Sequence, residues 1–329
     1  MLAAYARNVN PEDPFSALSV GEIEPPAVPE DWTRVAMVAA SLNRHDLWSL
    51  AGVGLREDQC PMILGTDAVG RTETGETVLV YPVIADAALD DETLDPGRTL
   101  LSEHHPGTLA EHVSVPARNL LPVPQGYGAA EAACLPTAYL TAWRMLTSRG
   151  RLPGALKNGS TEDGGAVLVQ GTGGGVATAA IVLAQALGAR VYATGRSPER
   201  REKAAALGAV PVEAGGRLPE RVDIVIDSVG EPVMEHSIKS LKPGGRLVIC
   251  GATGGHLPQI DLRHVFFKQL EILGSTMGTR AELVELLDFC AERQVKPVID
   301  STYTLADAET ALRRLASGEA FGKVVVLRS

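Results

Sequence analysis

The chain has 329 residues, 45% of them hydrophobic, and a formal net charge of −10. That is apolar material for two domains with sizeable cores, and it excludes a disordered chain. The acidic balance argues against nucleic acid or an anionic membrane as partner, since either requires a basic face.

The N-terminal stretch MLAAYARNVNPEDPF lacks a basic region followed by an apolar one, so no secretory signal is expected. Up to residue 125 the sequence reads as β-rich. Short apolar runs, TRVAMVAASL (33–42), ETVLVYPVI (76–84) and AEHVSVP (110–116), stand between Pro and Gly. Helix formers then predict a helix from about Ala129 to Ser148, and the polar, glycine-rich residues 151–165 read as an exposed loop. From Ala166 the pattern changes. AVLVQ is a strand apolar enough to be covered on both faces, VATAAIVLAQAL is a helix and ARVYAT a second strand. In SPERREKAAALGA, Ser197 caps a helix, Pro198 takes its first position and Gly208 stops it. VDIVIDSVG (222–230), EPVMEHSIKSL, GGRLVICG (244–251) and LEILGST (270–276) continue the alternation. Repeated β-α-β units imply an α/β fold, a doubly wound parallel sheet with helices on both faces. After Gly278 a helix carries Leu283, Leu286, Leu287 and Cys290 on one face. Another begins at Thr304, with Asp307 completing an imperfect capping box, and the final KVVVL strand is expected to return to the first domain.

Cysteines 60, 134, 250 and 290 form no C-x-x-C pair, which fits reduced thiols in a cytoplasmic protein. The uncharged run from Gly164 to Ala189 has the length of a membrane span. Glycines at 171 and 173–175 make it a strand, turn and helix instead, so no membrane partner is expected.

That glycine knot, GTGGGVA, carries the chemistry. At the end of a buried strand and the start of a helix, unpaired amides and the helix dipole favour a pyrophosphate. The match to G-x-G-x-x-G is partial: Gly171 and Gly173 fit, but the last position falls on Val176. Read one step later, Gly171, Gly174 and Ala177 keep the spacing, and Ala177 is a packing variant of the usual glycine. Thr172, Gly174, Gly175 and Val176 are therefore the candidate phosphate cradle. No acid ends the next strand. Arg196, Ser197 and Arg200 offer positive charge and donors suited to a 2′-phosphate, so NADP(H) is expected rather than NAD.

The whole chain resembles the medium-chain dehydrogenase/reductase superfamily of alcohol dehydrogenases and quinone oxidoreductases. The resemblance rests on SLNRHDL, ILGTDAVG, PGTLAEHVSVPA, LPTAYLTAW, the glycine knot, ATGRSPERREKAAALGA, LKPGGRLVICG, LEILGSTMGT and GKVVVL. It implies a GroES-like, β-rich catalytic domain over 1–125, completed by 279–329, and a Rossmann domain over 126–278. It also implies a homodimer. Where zinc members of the superfamily place a cysteine, a histidine and a third ligand, this chain has Asn43, Thr66 and Thr137. Amide and hydroxyl groups are poor zinc partners, so no metal is expected. The adjacent Glu103, His104 and His105 are discounted as ligands.

The zinc-free branch implies hydride transfer from NADPH to a small-molecule acceptor, a quinone or an activated C=C bond (enone or enoyl). The alternatives are an alcohol or aldehyde dehydrogenase of the same superfamily and a non-catalytic NADPH-binding sensor. On this resemblance Asn43 orients nicotinamide or substrate, and His45 delivers a proton. Tyr81 is a more distant donor. Thr141 contacts the nicotinamide carboxamide, and Gly251, Ala252, Thr253, Ser275, Thr276 and Met277 line its side of the sheet. Lys323, near the terminal strand, approaches the coenzyme.

Overall fold

The computed structural model describes residues 1–153 and 164–328. Most of the loop expected over 151–165 lies outside these residues. The chain forms two compact units, Met1–Ala138 with the segment from Thr279 onward, and Tyr139–Gly278.

The first unit is built from strands. β1 (Leu2–Ala6) pairs antiparallel with β2 (Leu18–Glu22). β3 (Trp32–Ser41) runs into the short helix α1 (Arg44–Leu50), and β4 (Met62–Ile63) returns to pair with β1. β5 (Asp67–Thr72), β6 (Thr77–Val80), β9 (His112–Pro116) and β10 (Leu120–Pro122) join β3 in a mixed sheet; β7 (Val83–Ile84) and β8 (Thr99–Leu100) form a separate ribbon. α2 (Ala129–Ala132) packs on β3 and β5. That packing keeps residues 126–138 with the first unit, so the division falls later than residue 125.

The second unit is a parallel sheet of six strands with helices between them. α3 (Leu140–Arg144) leads in. The helical stretch expected from Ala129 is present, but π-type turns at Leu135–Tyr139 and Met145–Arg149 break it into pieces. The strands are β11 (Ala166–Gln170), β12 (Arg190–Gly195), β13 (Val210–Glu213), β14 (Val222–Asp227), β15 (Leu241–Ile249) and β16 (Glu271–Gly274). They are connected through α4 (Gly175–Ala186), α5 (Pro198–Ala206), α6 (Met234–Ser240) and α7 (Leu262–Lys268). The spatial order β13-β12-β11-β14-β15-β16 reverses direction at β11, as in a Rossmann sheet. All five residues of β11 are buried, which explains its unbroken apolar composition.

The chain then re-enters the first unit through α8 (Arg280–Arg293), which buries Leu283, Leu286, Leu287 and Cys290 behind a Thr279–Glu282 capping box. β17 (Ile299–Thr304), α9 (Ala308–Ala316) and β18 (Lys323–Leu327) complete the mixed sheet. β18 pairs antiparallel with β3, matching Val325 with Ser41 and Leu327 with Ala39. The terminal strand thus returns to the first domain, the GroES-like β-rich unit. This pairing sets Lys323 beside the end of β3, where Asn43 begins α1.

Candidate functional site

In the Rossmann unit the residues selected from sequence follow the carboxyl ends of two pairs of parallel strands, β12 with β11 and β15 with β16, on either side of β14. Thr172, Gly174, Gly175 and Val176 follow β11. Arg196, Ser197 and Arg200 follow β12, Gly251, Ala252 and Thr253 follow β15, and Ser275, Thr276 and Met277 follow β16. Gly174 is the N-cap of α4, and a Cβ there would meet nothing within 4 Å, so the space over the first turn is open. Gly171, at φ +93°, makes the turn that an L side chain resists. Its N–H donates to Thr194 Oγ1 at 3.2 Å, which pins the strand end. Ala177 is buried under this turn.

At the end of β12, Gly195 lies so close to Thr172 that a Cβ would stand 2.8 Å from Thr172 Oγ1. Arg196 is exposed, and Ser197 caps α5 by accepting from Arg200 N at 3.4 Å. Arg201 donates to Gly195 O at 2.8 Å and to Arg196 O at 3.2 Å, which clamps the strand-to-helix turn. Thr141 is buried on α3. Asp227, which sequence reasoning did not select, ends β14. Its Oδ1 accepts from Val229 N at 2.7 Å and Gly230 N at 3.0 Å, while its buried Oδ2 has no partner among the described residues. Burial pushes this carboxyl above its ordinary range.

The first unit holds a second polar centre, built on Asn43, Thr66 and Thr137. The Asn43 amide nitrogen donates to Asp67 Oδ2 at 2.8 Å and to Thr66 Oγ1 at 3.0 Å. Thr66 Oγ1 lies 3.1 Å from Thr137 Oγ1, which donates to Asp67 Oδ1 at 2.5 Å. Ser41 Oγ also donates to Asp67 Oδ2, at 2.8 Å. Lys323 closes the group. Its ammonium donates to Asn43 Oδ1 at 2.5 Å and to Leu42 O at 2.8 Å, and stands 3.6 Å from Asp67 Oδ2. Lys323 is 2% exposed and Asp67 fully buried, so this is an interior ion pair held by several hydrogen bonds.

The hydrogen bonds of Lys323 are thus made inside its own unit, to Asn43 and Leu42, with Asp67 Oδ2 next at 3.6 Å. The donor groups of Asn43 are spent in the same way. Neither Asp67 nor Ser41 was selected from sequence, although Asp67 sits inside the ILGTDAVG landmark. Two hydroxyls and an amide, with an ammonium against the amide, do not fit zinc, which takes thiolate, imidazole or carboxylate and is repelled by a fixed cation.

Asp46 supports this centre from α1. Its Oδ2 accepts from Asn43 N at 2.8 Å and its Oδ1 from Gly65 N at 3.0 Å. Burial pushes its pKa up to about 6, against the opposing pull of His45 and the Asn43 N–H. His45 points elsewhere. Its Nε2 is 3.0 Å from Glu103 Oε1, and Ser102 Oγ is 3.4 Å from its Nδ1. Burial would raise the Glu103 carboxyl, but the bonds from His45, Leu100 N–H and Thr99 together hold it below its usual value. His104 contacts Gln59, and the His105 ring meets Trp32 in a tilted contact, 4.9 Å between ring centres.

Tyr81 is corrected by its surroundings. It is 1% exposed, its hydroxyl donates to Glu92 Oε1 at 3.2 Å, and burial and Glu92 raise its pKa strongly. The same Glu92 oxygen accepts from Arg280 N at 2.7 Å. Tyr81 is therefore a buried tie between the β6 end and the start of α8, not a proton donor to a ligand.

Among the described residues no helix is long and apolar enough to cross a membrane. A family profile described as zinc-binding dehydrogenase matches residues 175–292. A solved structure of an NAD-dependent alcohol dehydrogenase superposes at TM-score 0.89 with 32% identity, covering 100% of both chains. The 2-octenoyl-CoA carboxylase reductase CinF, solved with NADP and 2-octenoyl-CoA, superposes at TM-score 0.89 with 25% identity, over 99% of this chain and 87% of that one. An acryloyl-coenzyme A reductase of Sulfurisphaera tokodaii is 28% identical over 95% of this chain and 97% of its own. Other curated relatives are longer, and the chain spans only 64% and 15% of two of them.

Proposed function

Because the chain belongs to the medium-chain dehydrogenase/reductase superfamily, we propose that it is an NADP(H)-dependent oxidoreductase acting without zinc, its acceptor a quinone or the activated C=C bond of an enone or enoyl thioester. The observation that carries this reading is the closed ring of Asn43, Thr66, Thr137 and Asp67, with the Lys323 ammonium against Asn43 and Asp67. Drawing an alcohol toward its alkoxide calls for a Lewis acid or a strong base. A conjugated acceptor needs less, since its electrophilic carbon is already polarised, and the enzyme then contributes mainly position and electrostatics.

When bound, the coenzyme supplies the hydride. The free amides at the start of α4 receive its pyrophosphate, and the open space at Gly174 admits it. Arg196, Ser197 and Arg200 take the 2′-phosphate. Thr141, Gly251, Ala252, Thr253, Ser275, Thr276 and Met277 orient the nicotinamide half. His45, whose ring nitrogens face Glu103 and Ser102, would have to release one of them to supply the proton. Likeness to an acryloyl-coenzyme A reductase and to a 2-octenoyl-CoA carboxylase reductase supports the C=C acceptor, and the NADP in the latter supports the coenzyme.

The proposed reading includes a homodimer paired through the Rossmann unit. β16 is the edge strand, Ile272 on it is exposed, and Phe266 and Phe267 on α7 are exposed beside it in sequence. An unpaired edge with apolar neighbours fits pairing with a second copy of the chain. The unpaired thiols fit a cytoplasmic setting.

The test is NADPH oxidation against a panel of enoyl-CoA thioesters, enones, quinones and aldehydes. Turnover with a conjugated acceptor and none with simple aldehydes supports the proposal. Turnover with aldehydes alone returns the chain to the alcohol dehydrogenases, and tight coenzyme binding without any turnover makes it a sensor.

A further inference from the structure

We propose that the Lys323 ammonium is a tethered internal cation that fixes the direction of every hydrogen bond in the Asn43–Thr66–Thr137–Asp67 ring, so that Thr137 meets its ligand as a hydrogen-bond acceptor. The inference rests on the metal-free reading of these positions and extends it to ligand chemistry.

The argument begins at the two groups whose roles cannot change. An ammonium has only protons to give, so the Asn43 atom that faces it at 2.5 Å is the carbonyl oxygen. That choice turns the amide nitrogen toward Asp67 Oδ2 and Thr66 Oγ1. With the opposite amide orientation, two acceptors would face each other at 2.8 Å and an N–H would face an ammonium.

Thr66 therefore accepts from Asn43. At the other end Asp67 accepts from Ser41 and Asn43 on Oδ2 and pairs with Lys323, so Thr137 gives its single hydroxyl proton to Asp67 Oδ1. The bond between Thr66 and Thr137 then has one possible sense, with Thr66 donating. Both hydroxyl protons are now spent. Thr66 is fully buried, whereas Thr137 is half-buried and keeps one lone pair.

The ligand group that meets Thr137 is consequently an O–H or N–H donor, such as an alcohol hydroxyl or a primary carboxamide. A carbonyl oxygen or an enolate would face a lone pair there, so the oxygen of the proposed conjugated acceptor is received elsewhere than at Thr137. Lys323 is a positioning residue here, acting through Asn43 and Asp67.

The direct experiment is neutron diffraction from deuterium-exchanged crystals of the full chain, with zinc content measured on the same preparation. The expected map places the Thr137 deuteron toward Asp67 and the Thr66 deuteron toward Thr137. A Thr137 deuteron directed away from Asp67 in zinc-free protein overturns this inference alone; stoichiometric zinc overturns the metal-free reading with it. In solution, Lys323→Ala is expected to lower the melting midpoint by about 10 °C. Ethylammonium should restore most of that loss and tetramethylammonium, which carries the charge but no proton, should not. Equal recovery with both, or a Lys323→Met protein as stable as wild type, contradicts the role given to Lys323. Should Lys323→Ala fail to fold, the neutron map on the wild-type chain decides.

Discussion

Gly195 and Thr172 touch across the ends of two neighbouring strands: a Cβ at Gly195 would stand 2.8 Å from Thr172 Oγ1 and 3.1 Å from Arg201 Cγ. The acid that would hold the ribose hydroxyls of NAD has no room at this position, while the exposed Arg196 follows at once. Arg196→Ala is expected to weaken NADPH binding about tenfold, the worth of one charge-assisted phosphate bond, and to leave NADH binding unchanged. Fluorescence titration with both coenzymes measures it. Equal losses for the two would remove Arg196 from the 2′-phosphate site.

Gly174 gives a cleaner test of the cradle. Its backbone angles, φ −71° and ψ 158°, suit any residue, and a methyl added there meets no protein atom within 4 Å. Gly174→Ala should therefore melt like wild type yet bind coenzyme about tenfold or more weakly, because the methyl occupies the space a phosphate needs. Unchanged affinity would show that the pyrophosphate sits elsewhere.

Tyr81 tests the opposite kind of role. Its hydroxyl is spent on Glu92 in the interior. Tyr81→Phe is expected to cost about 1–2 kcal/mol of stability through that lost bond, with kcat unchanged. Urea denaturation and a rate assay measured together separate the two effects, and a large fall in kcat with normal stability would reinstate Tyr81 in the chemistry.

Asp46 gives a pH signature. Its pKa is raised to about 6 in the folded chain, first through burial. Between about pH 4 and 6 the folded form therefore holds a proton that the unfolded form has released, and the stabilisation this residue contributes below that window is lost as pH rises through it. For a shift of this size the change is about 3 kcal/mol. Carboxyl NMR of Asp46 should show a midpoint near 6; titration near 4 would mean that the carboxylate is better solvated than its position allows.

Much of this architecture is legible in the sequence. The five apolar residues of β11, the Ser197 cap, Pro198 and the stop at Gly208 are local signals, and local physics is enough to read them. The return of KVVVL to the first domain was also expected, though its pairing with β3 is seen only in the folded sheet. The polar ring was not. Lys323 and Asn43 are 280 positions apart, and nothing near either residue announces the other. The sequence pointed Lys323 at the coenzyme, whereas the antiparallel register of β18 on β3 buries it beside Asn43. Asp67 was visible as part of a landmark, but its role as the acceptor for three side chains is a property of the folded sheet. Tyr81 failed for a related reason. The end of a strand looks open in sequence, and Glu92 arrives there from a later loop.

The central claim is hydride transfer without a metal. It is tested most directly by the initial rate of NADPH oxidation with an enoyl-CoA acceptor before and after exhaustive chelation, with zinc measured in the same samples. The account predicts a rate unchanged by chelation at zinc far below one per chain. A rate abolished by the chelator and restored by one equivalent of zinc would contradict it.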